Sequence, residues 1–103
     1  MMTLDPGARA LIQDPRIFRE GNRVRLLARP PEAVQRMLEA IAGAQRGILL
    51  EMYIFDDDEV GRAFADALIE RARRGIPVRV MYDSLGSHDT DDAFFDRMQE
   101  SGV

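Results

Sequence analysis

Apolar and polar residues along this chain follow two different periods, and the periods take turns. In "NRVRLLA" (22–28), Val24, Leu26 and Ala28 stand against Arg23, Arg25 and Leu27. That two-residue period predicts a strand with one wet face, at a sheet edge. Pro30 and Pro31 stop it, and Val34, Met37, Leu38 and Ile41 then recur at helical spacing. They predict a helix over 31–45, with Gly47 as its C-terminal cap. The continuous apolar run "ILLEMYIF" (48–55) predicts a second strand. Apolar on both faces, it belongs in mid-sheet with helices above and below. Asp56 and Glu59 form a D-x-x-E start signal, and Val60, Ala63, Phe64, Ala67, Leu68 and Ala72 predict a helix over 58–74 that Gly75 caps. "PVRVMYD" (77–83) predicts a third strand, and 91–101 a third helix with Phe94, Phe95 and Met98 inward and Gly102 closing it. Residues 1–20 carry Pro6, Gly7 and Pro15 without a sustained period, which predicts a loose arm with a short helix around 8–12.

The order is therefore β-α-β-α-β-α. Helices alternating with strands place the chain in the α/β class, with a mainly parallel sheet flanked by helices. Twice a helix ends in glycine and runs straight into an apolar strand, in "AIAGAQRGILLEMYIF" and "LIERARRGIPVRVMYD". The third time, in "FFDRMQESGV", one residue follows the glycine. The pattern predicts a fourth strand beyond Val103, hence an incomplete domain and the front part of a longer protein. A missing fourth strand would leave a cut sheet edge and an uncovered Phe94/Phe95/Met98 face. The chain is then expected to be either poorly stable or self-associated through an interface that hides that edge or that face.

Length and charge narrow the choices. At 103 residues the chain holds one small domain and not two. The net charge is −4, and all 14 basic residues are Arg, with no cluster on one face. This argues against nucleic acid as a partner. Cysteine is absent, which removes disulfide, thiol and zinc-thiolate chemistry. No apolar run is long enough for a signal peptide or a membrane span.

Four features carry candidate chemistry. "DDDE" (56–59) reads as helix capping and dipole compensation in preference to a metal-binding acid cluster. Glu51, between Leu50 and Met52, is a carboxylate in an apolar strand, costly to bury unless paired or protonated. Two readings stand side by side: an ion pair with an Arg such as Arg79, or a carboxylate that orients a catalytic group. "YDSLGS" (82–87) falls at the carboxyl end of the third strand, where open α/β sheets bind ligands. It resembles the Asp-x-Ser-x-Ser metal site of von Willebrand A-type domains and the Asp-x-Asp start of haloacid dehalogenase-type phosphatases. Leu85 breaks both patterns, leaving a turn with Gly86 at positive φ. His88, the one histidine, sits in a polar loop without a Ser, Cys or second His arranged as nucleophile and base.

"GNRVRLL", "MLEAIAGAQRGILLEMYIF", "ALIERARRGIPVRVMYDSLGS" and "FFDRMQESGV", in that order, resemble the start of the first phospholipase D-like domain of bacterial cardiolipin synthases. The resemblance covers 21–103. It implies an incomplete phospholipase D-like domain and, for the whole protein, phosphatidyl transfer through a phosphohistidine, with no metal or other cofactor. The family signature is H-x-K-x-x-x-x-D, carried once in each half. This chain has no lysine, and His88 is followed by Asp89 and Thr90, so it holds no such motif. The resemblance puts the signature after Val103, so no catalytic residue carries over and the chain alone is expected to be an inactive scaffold. Glu51, Tyr53, Asp83 and Ser84 match family positions near the carboxyl side of the sheet and are candidates to back the reacting groups. The phospholipid substrate would bind only the full-length protein. The expected location is cytoplasmic or peripheral at the inner membrane, with any membrane contact made by other parts. Two alternatives stand beside this: a phospholipase D-type hydrolase or nuclease fragment, and a free-standing non-catalytic α/β binding module.

Overall fold

Three helices and two strands follow a 3-10 turn at Pro15–Ile17 in the computed structural model, which describes residues 5–7, 10 and 14–103. The short helix expected around 8–12 lies largely outside the described residues. The elements are α1 (Pro30–Gly43), β1 (Ile48–Met52), α2 (Glu59–Arg73), β2 (Val78–Tyr82) and α3 (Asp92–Glu100).

The predicted first strand is not formed. Residues 22–28 join no ladder, and Val24 and Leu26 are 91% and 87% exposed. Alternation selects side-chain directions but supplies no partner. The sheet has two strands, and 22–28 pairs with neither.

Helix starts and stops follow local chemistry. Pro30 and Pro31 fill the first turn of α1, where a missing N–H costs nothing. The Asp58 carboxylate accepts from Gly61 N–H at 2.7 Å and caps α2, two residues later than the Asp56 start expected. Asp91 caps α3 by accepting from Ala93 N–H. The ends of α2 and α3 repeat one device. Gly75 N–H donates to Ala72 C=O (2.9 Å) and Ile76 N–H to Arg71 C=O (3.1 Å). Gly102 N–H donates to Gln99 C=O (3.1 Å) and Val103 N–H to Met98 C=O (3.0 Å). With φ of 82° at Gly75 and 97° at Gly102, both are Schellman ends, and Val103 supplies the apolar residue that packs back on the core. α1 does not use this device. It stops at Gly43, and Ala44 N–H donates to Ile41 C=O. Gly47 lies beyond the helix at a negative φ, so the cap assigned to it is corrected.

β1 and β2 are parallel, in the register Ile48↔Val78, Leu49↔Arg79, Leu50↔Val80, Glu51↔Met81 and Met52↔Tyr82. Ile48, Leu50 and Met52 of β1 point into the core, as do Val78 and Val80 of β2. Leu49, Glu51, Arg79 and Met81 point the other way and are exposed. The expectation of helices above and below the sheet is therefore corrected: one face is covered and the other is bare. α1 and α3 both pack against α2, which gathers the helical cover on a single side. Glu51 is accordingly exposed, and the burial cost assumed for it does not arise. Among the described residues each strand has a single neighbour, so neither outer edge of the sheet is paired by them.

Phe55, Phe64, Ala65 and Leu68 centre the core, with Ile69, Val78, Phe94 and Met98 around them. Phe55 stands edge-on to both Phe94 and Phe95, at 5.2 and 6.1 Å between centroids. Tyr82 stacks on Phe95 at 3.8 Å. The Phe94/Phe95/Met98 face expected to be uncovered is thus occupied, because the two strand ends and α2 supply its apolar partners.

Candidate functional site at the carboxyl ends of the strands

Open parallel sheets present their ligand sites outside the carboxyl ends of the strands, where the following loops diverge. Here the loops are 53–58 after β1 and 83–91 after β2. β1 is shorter than the 48–55 span predicted for it, because residues 53–55 leave the ladder and bond to the second loop instead. Phe55 N–H donates to Ser87 Oγ (3.0 Å), and Ser87 Oγ–H donates to the Tyr53 carbonyl (3.3 Å). Thr90 Oγ1–H donates to the Phe55 carbonyl at 2.7 Å. Ser87 and Thr90 are both buried, and so is Phe55, whose amide and carbonyl are thus satisfied away from water. Sequence reasoning passed over both hydroxyls. The available signal was two small polar residues in a loop facing a wholly apolar strand end.

Gly86 has a different role from the positive-φ turn expected of it. Its φ is negative, but a Cβ there would fall 2.3 Å from the Tyr53 carbonyl oxygen. Only glycine lets the two loops come this close. Asp83 organises the turn itself, its Oδ1 accepting from Leu85 N–H (2.8 Å) and Gly86 N–H (3.0 Å).

Glu51, Tyr53 and Asp83 come together around a small cavity of about 160 Å³ at the strand ends, with Met52, Met81 and Tyr82 as the other lining residues. Ser84 lies outside that lining, exposed on the turn. No ion pair joins Glu51 to Arg79 among the described residues; Arg79 sits beside Leu49 in register, one step down the sheet.

The acidic run is consumed locally. Asp58 caps α2, Asp57 pairs with Arg62 at 2.6 Å, and Asp56 Oδ1 lies 3.3 Å from the Thr90 hydroxyl. The pairing with Asp57 raises the Arg62 guanidinium above its ordinary value. Among the described residues no group of three or more His, Cys, Asp or Glu side chains is placed to hold a metal. His88 is exposed. Its Nδ1 lies 2.7 Å from the Leu85 carbonyl oxygen and its Nε2 3.1 Å from Asp89 Oδ1.

A parallel β-α-β unit with its loops joined over the strand ends is a piece of an open α/β domain. Its sequence relatives say which one. Cardiolipin synthase B of Salmonella typhimurium is 41% identical over 86 residues, covering 84% of this chain and 21% of that protein. The major cardiolipin synthase ClsA of Bacillus subtilis is 40% identical over 86 residues, 84% of this chain and 18% of its own length. Cardiolipin synthase A of Pseudomonas syringae pv. syringae is 35% identical over 82 residues, 80% of this chain and 17% of its own. Over this segment the chain is homologous to bacterial cardiolipin synthases, proteins of the phospholipase D superfamily. It spans about a fifth of the length of the curated relatives it matches. No family model matches it, and no solved structure does. Among the described residues, no helix is long and apolar enough to cross a membrane.

Proposed function

We propose that residues 21–103 are the leading part of the first phospholipase D-like domain of a cardiolipin synthase-type phosphatidyltransferase, with 1–20 as an arm before it. The observation that carries this reading is the 35–41% identity to cardiolipin synthases over four fifths or more of the chain. In the whole enzyme a histidine attacks the phosphorus of one phosphatidylglycerol. The P–O bond to the terminal glycerol breaks, and glycerol leaves with a proton from a second acidic group. A hydroxyl of a second phosphatidylglycerol then attacks the phosphohistidine, giving cardiolipin and the free histidine. A lysine steadies the charge that builds on the phosphate oxygens.

This chain contributes scaffold. It has no lysine to steady the phosphate, and its one histidine is an exposed loop residue bonded to Leu85 and Asp89. Glu51, Tyr53 and Asp83 around the strand-end cavity, with Ser84 on the adjoining turn, would back the reacting groups brought by the rest of the enzyme. Contact with a membrane surface would be peripheral and would come from that remainder.

The test is turnover of phosphatidylglycerol vesicles by the purified chain, with cardiolipin followed by mass spectrometry. No cardiolipin is expected. Its formation at a rate that His88→Ala leaves unchanged would overturn both the scaffold role and the phosphohistidine route for this chain. Reading the gene past codon 103 tests the parent enzyme. An in-frame H-x-K-x-x-x-x-D is the expected result, and a stop codon there favours a free-standing module.

A further inference from the structure

Three consecutive amides turn back on one residue at the end of β2. Asp83 Oδ1 accepts from Leu85 N–H at 2.8 Å and from Gly86 N–H at 3.0 Å, which occupies both lone pairs of that oxygen. The Asp83 carbonyl accepts from Ser87 N–H at 3.0 Å, and Asp83 N–H donates to the Met52 carbonyl of β1 at 3.3 Å. One residue thus ties the end of β1 to the turn and sets where Ser87 falls. Ser87 in turn is the buried hydroxyl that accepts from Phe55 N–H and donates to the Tyr53 carbonyl. A chain of bonds therefore runs from the Asp83 carboxylate to the main chain of residues 53–55.

We propose that Asp83 is a positioning residue: its carboxylate holds the turn in the path that delivers Ser87 to residues 53–55, and so fixes the Tyr53 wall of the strand-end cavity. Tyr53 and Asp83 line that cavity from the two loops, so the linkage sets one wall against the other. An Asp suits the start of such a turn because its side-chain oxygen takes the place of a backbone carbonyl. The turn needs an acceptor and not a charge, which separates this role from electrostatic backing of a reacting phosphate. The loops leave the turn little freedom. A Cβ on Gly86 would collide with the Tyr53 carbonyl, so the turn cannot move inward. A turn that relaxes outward takes the Ser87 hydroxyl away from the Phe55 amide. A part in turnover rests on the phosphatidyltransferase reading above, whereas the linkage is a property of this chain and is tested on it.

Amide hydrogen exchange of the full 103-residue chain, followed by NMR, tests this. The readout is the protection of Phe55 N–H relative to that of Leu68 N–H in the core helix α2. Asp83→Ala is expected to lower this ratio about fivefold or more. Asp83→Asn, whose amide oxygen offers the same two lone pairs without the charge, is expected to keep it within about twofold of the wild type. Ser87→Ala removes the acceptor itself. Adding Asp83→Ala to it is expected to lower the ratio no further, because the two act in series. A Phe55 amide unprotected in the wild type overturns the proposal. So does an unchanged ratio in Asp83→Ala, an Asn variant as damaged as the Ala one, or losses from the two alanines that simply add. Should Asp83→Ala unfold the chain, Asp83→Ser takes its place. A hydroxyl makes the same turn more weakly, so a smaller loss is expected from it, and no loss overturns the proposal. None of these outcomes depends on turnover, so the phosphatidyltransferase reading stands or falls separately.

Discussion

Leu49 and Leu50 are neighbours in one strand, identical in chemistry and opposite in fate. Leu50 packs on the helices beside Ile48 and Met52, while Leu49 faces solvent beside Arg79. The same split runs through β2, where Val78 and Val80 turn inward and Arg79 and Met81 outward. An apolar run reports which side chains can be buried. What buries them is a separate fact, fixed by where the connecting helices pack. All the helical cover gathers around α2 on one side, so stability is concentrated there and the second face contributes little.

That contrast is tested most severely at Phe55, the fully buried residue on which the aromatic cluster and both loops converge. Phe55→Ala is expected to cost about 3–5 kcal/mol, a large share of the stability of a domain that holds about 5–15 kcal/mol. Leu49→Ala on the bare face is expected to stay within about 0.5 kcal/mol. Urea denaturation of the two variants, at concentrations where the chain is monomeric, gives both numbers. Equal losses would mean that the bare face is covered in solution.

A smaller effect sharpens the contrast at the strand ends. Ser87→Ala leaves the Phe55 N–H buried without an acceptor, at an expected cost of about 1–3 kcal/mol. Gly86→Ala drives a methyl group against the Tyr53 carbonyl and should cost a similar 1–3 kcal/mol. Gly43→Ala, with nothing within 4 Å of the added carbon, is expected to be neutral or slightly stabilising. Thermal unfolding ranks the three. A harmless Gly86→Ala would show that the two loops are not in contact.

The smallest effect belongs to an exposed helix position that neither face of the sheet includes. Bonding from Arg71 and then Arg74 holds the Glu70 carboxyl below its ordinary value of 4.5. The folded chain therefore binds that proton less readily than the unfolded chain. The stability involved is fully present above the ordinary value and is lost as pH falls through the folded one. Glu70→Gln should slightly flatten the fall in melting temperature on the acid side and leave the neutral value nearly unchanged, since exposed pairs contribute little. A large change at neutral pH would contradict this.

The helices were legible because their signals are local. Asp58 and Asp91 cap, Gly75 and Gly102 close, and the apolar spacing between them is regular. Strand positions were legible, but strand surroundings were not. "NRVRLLA" alternates as a strand should and pairs with nothing, because a ladder depends on a second segment that local alternation cannot name. Glu51 looked buried because its neighbours in sequence are apolar, yet the pleat sends it to the open side. At the candidate site, the family resemblance named Glu51, Tyr53, Asp83 and Ser84, and the first three line one cavity while Ser84 stands outside it. The bonds from Ser87 and Thr90 could not, since they join residues 32 to 35 positions apart through a turn whose path only the fold defines.

Those bonds also bear on how the strand ends can vary. Phe55 is riveted to the opposite loop through both its amide and its carbonyl, and the rivet uses two hydroxyls and a glycine, not the side chains on the rim. Tyr53, Ile54 and Leu85 stand outside it, exposed. Changes to the Ile54 or Leu85 side chain are expected to leave the backbone beneath in place. The spacing of the two loops is thus set by main chain and two hydroxyls, and it survives a change of the side chains that stand on the rim.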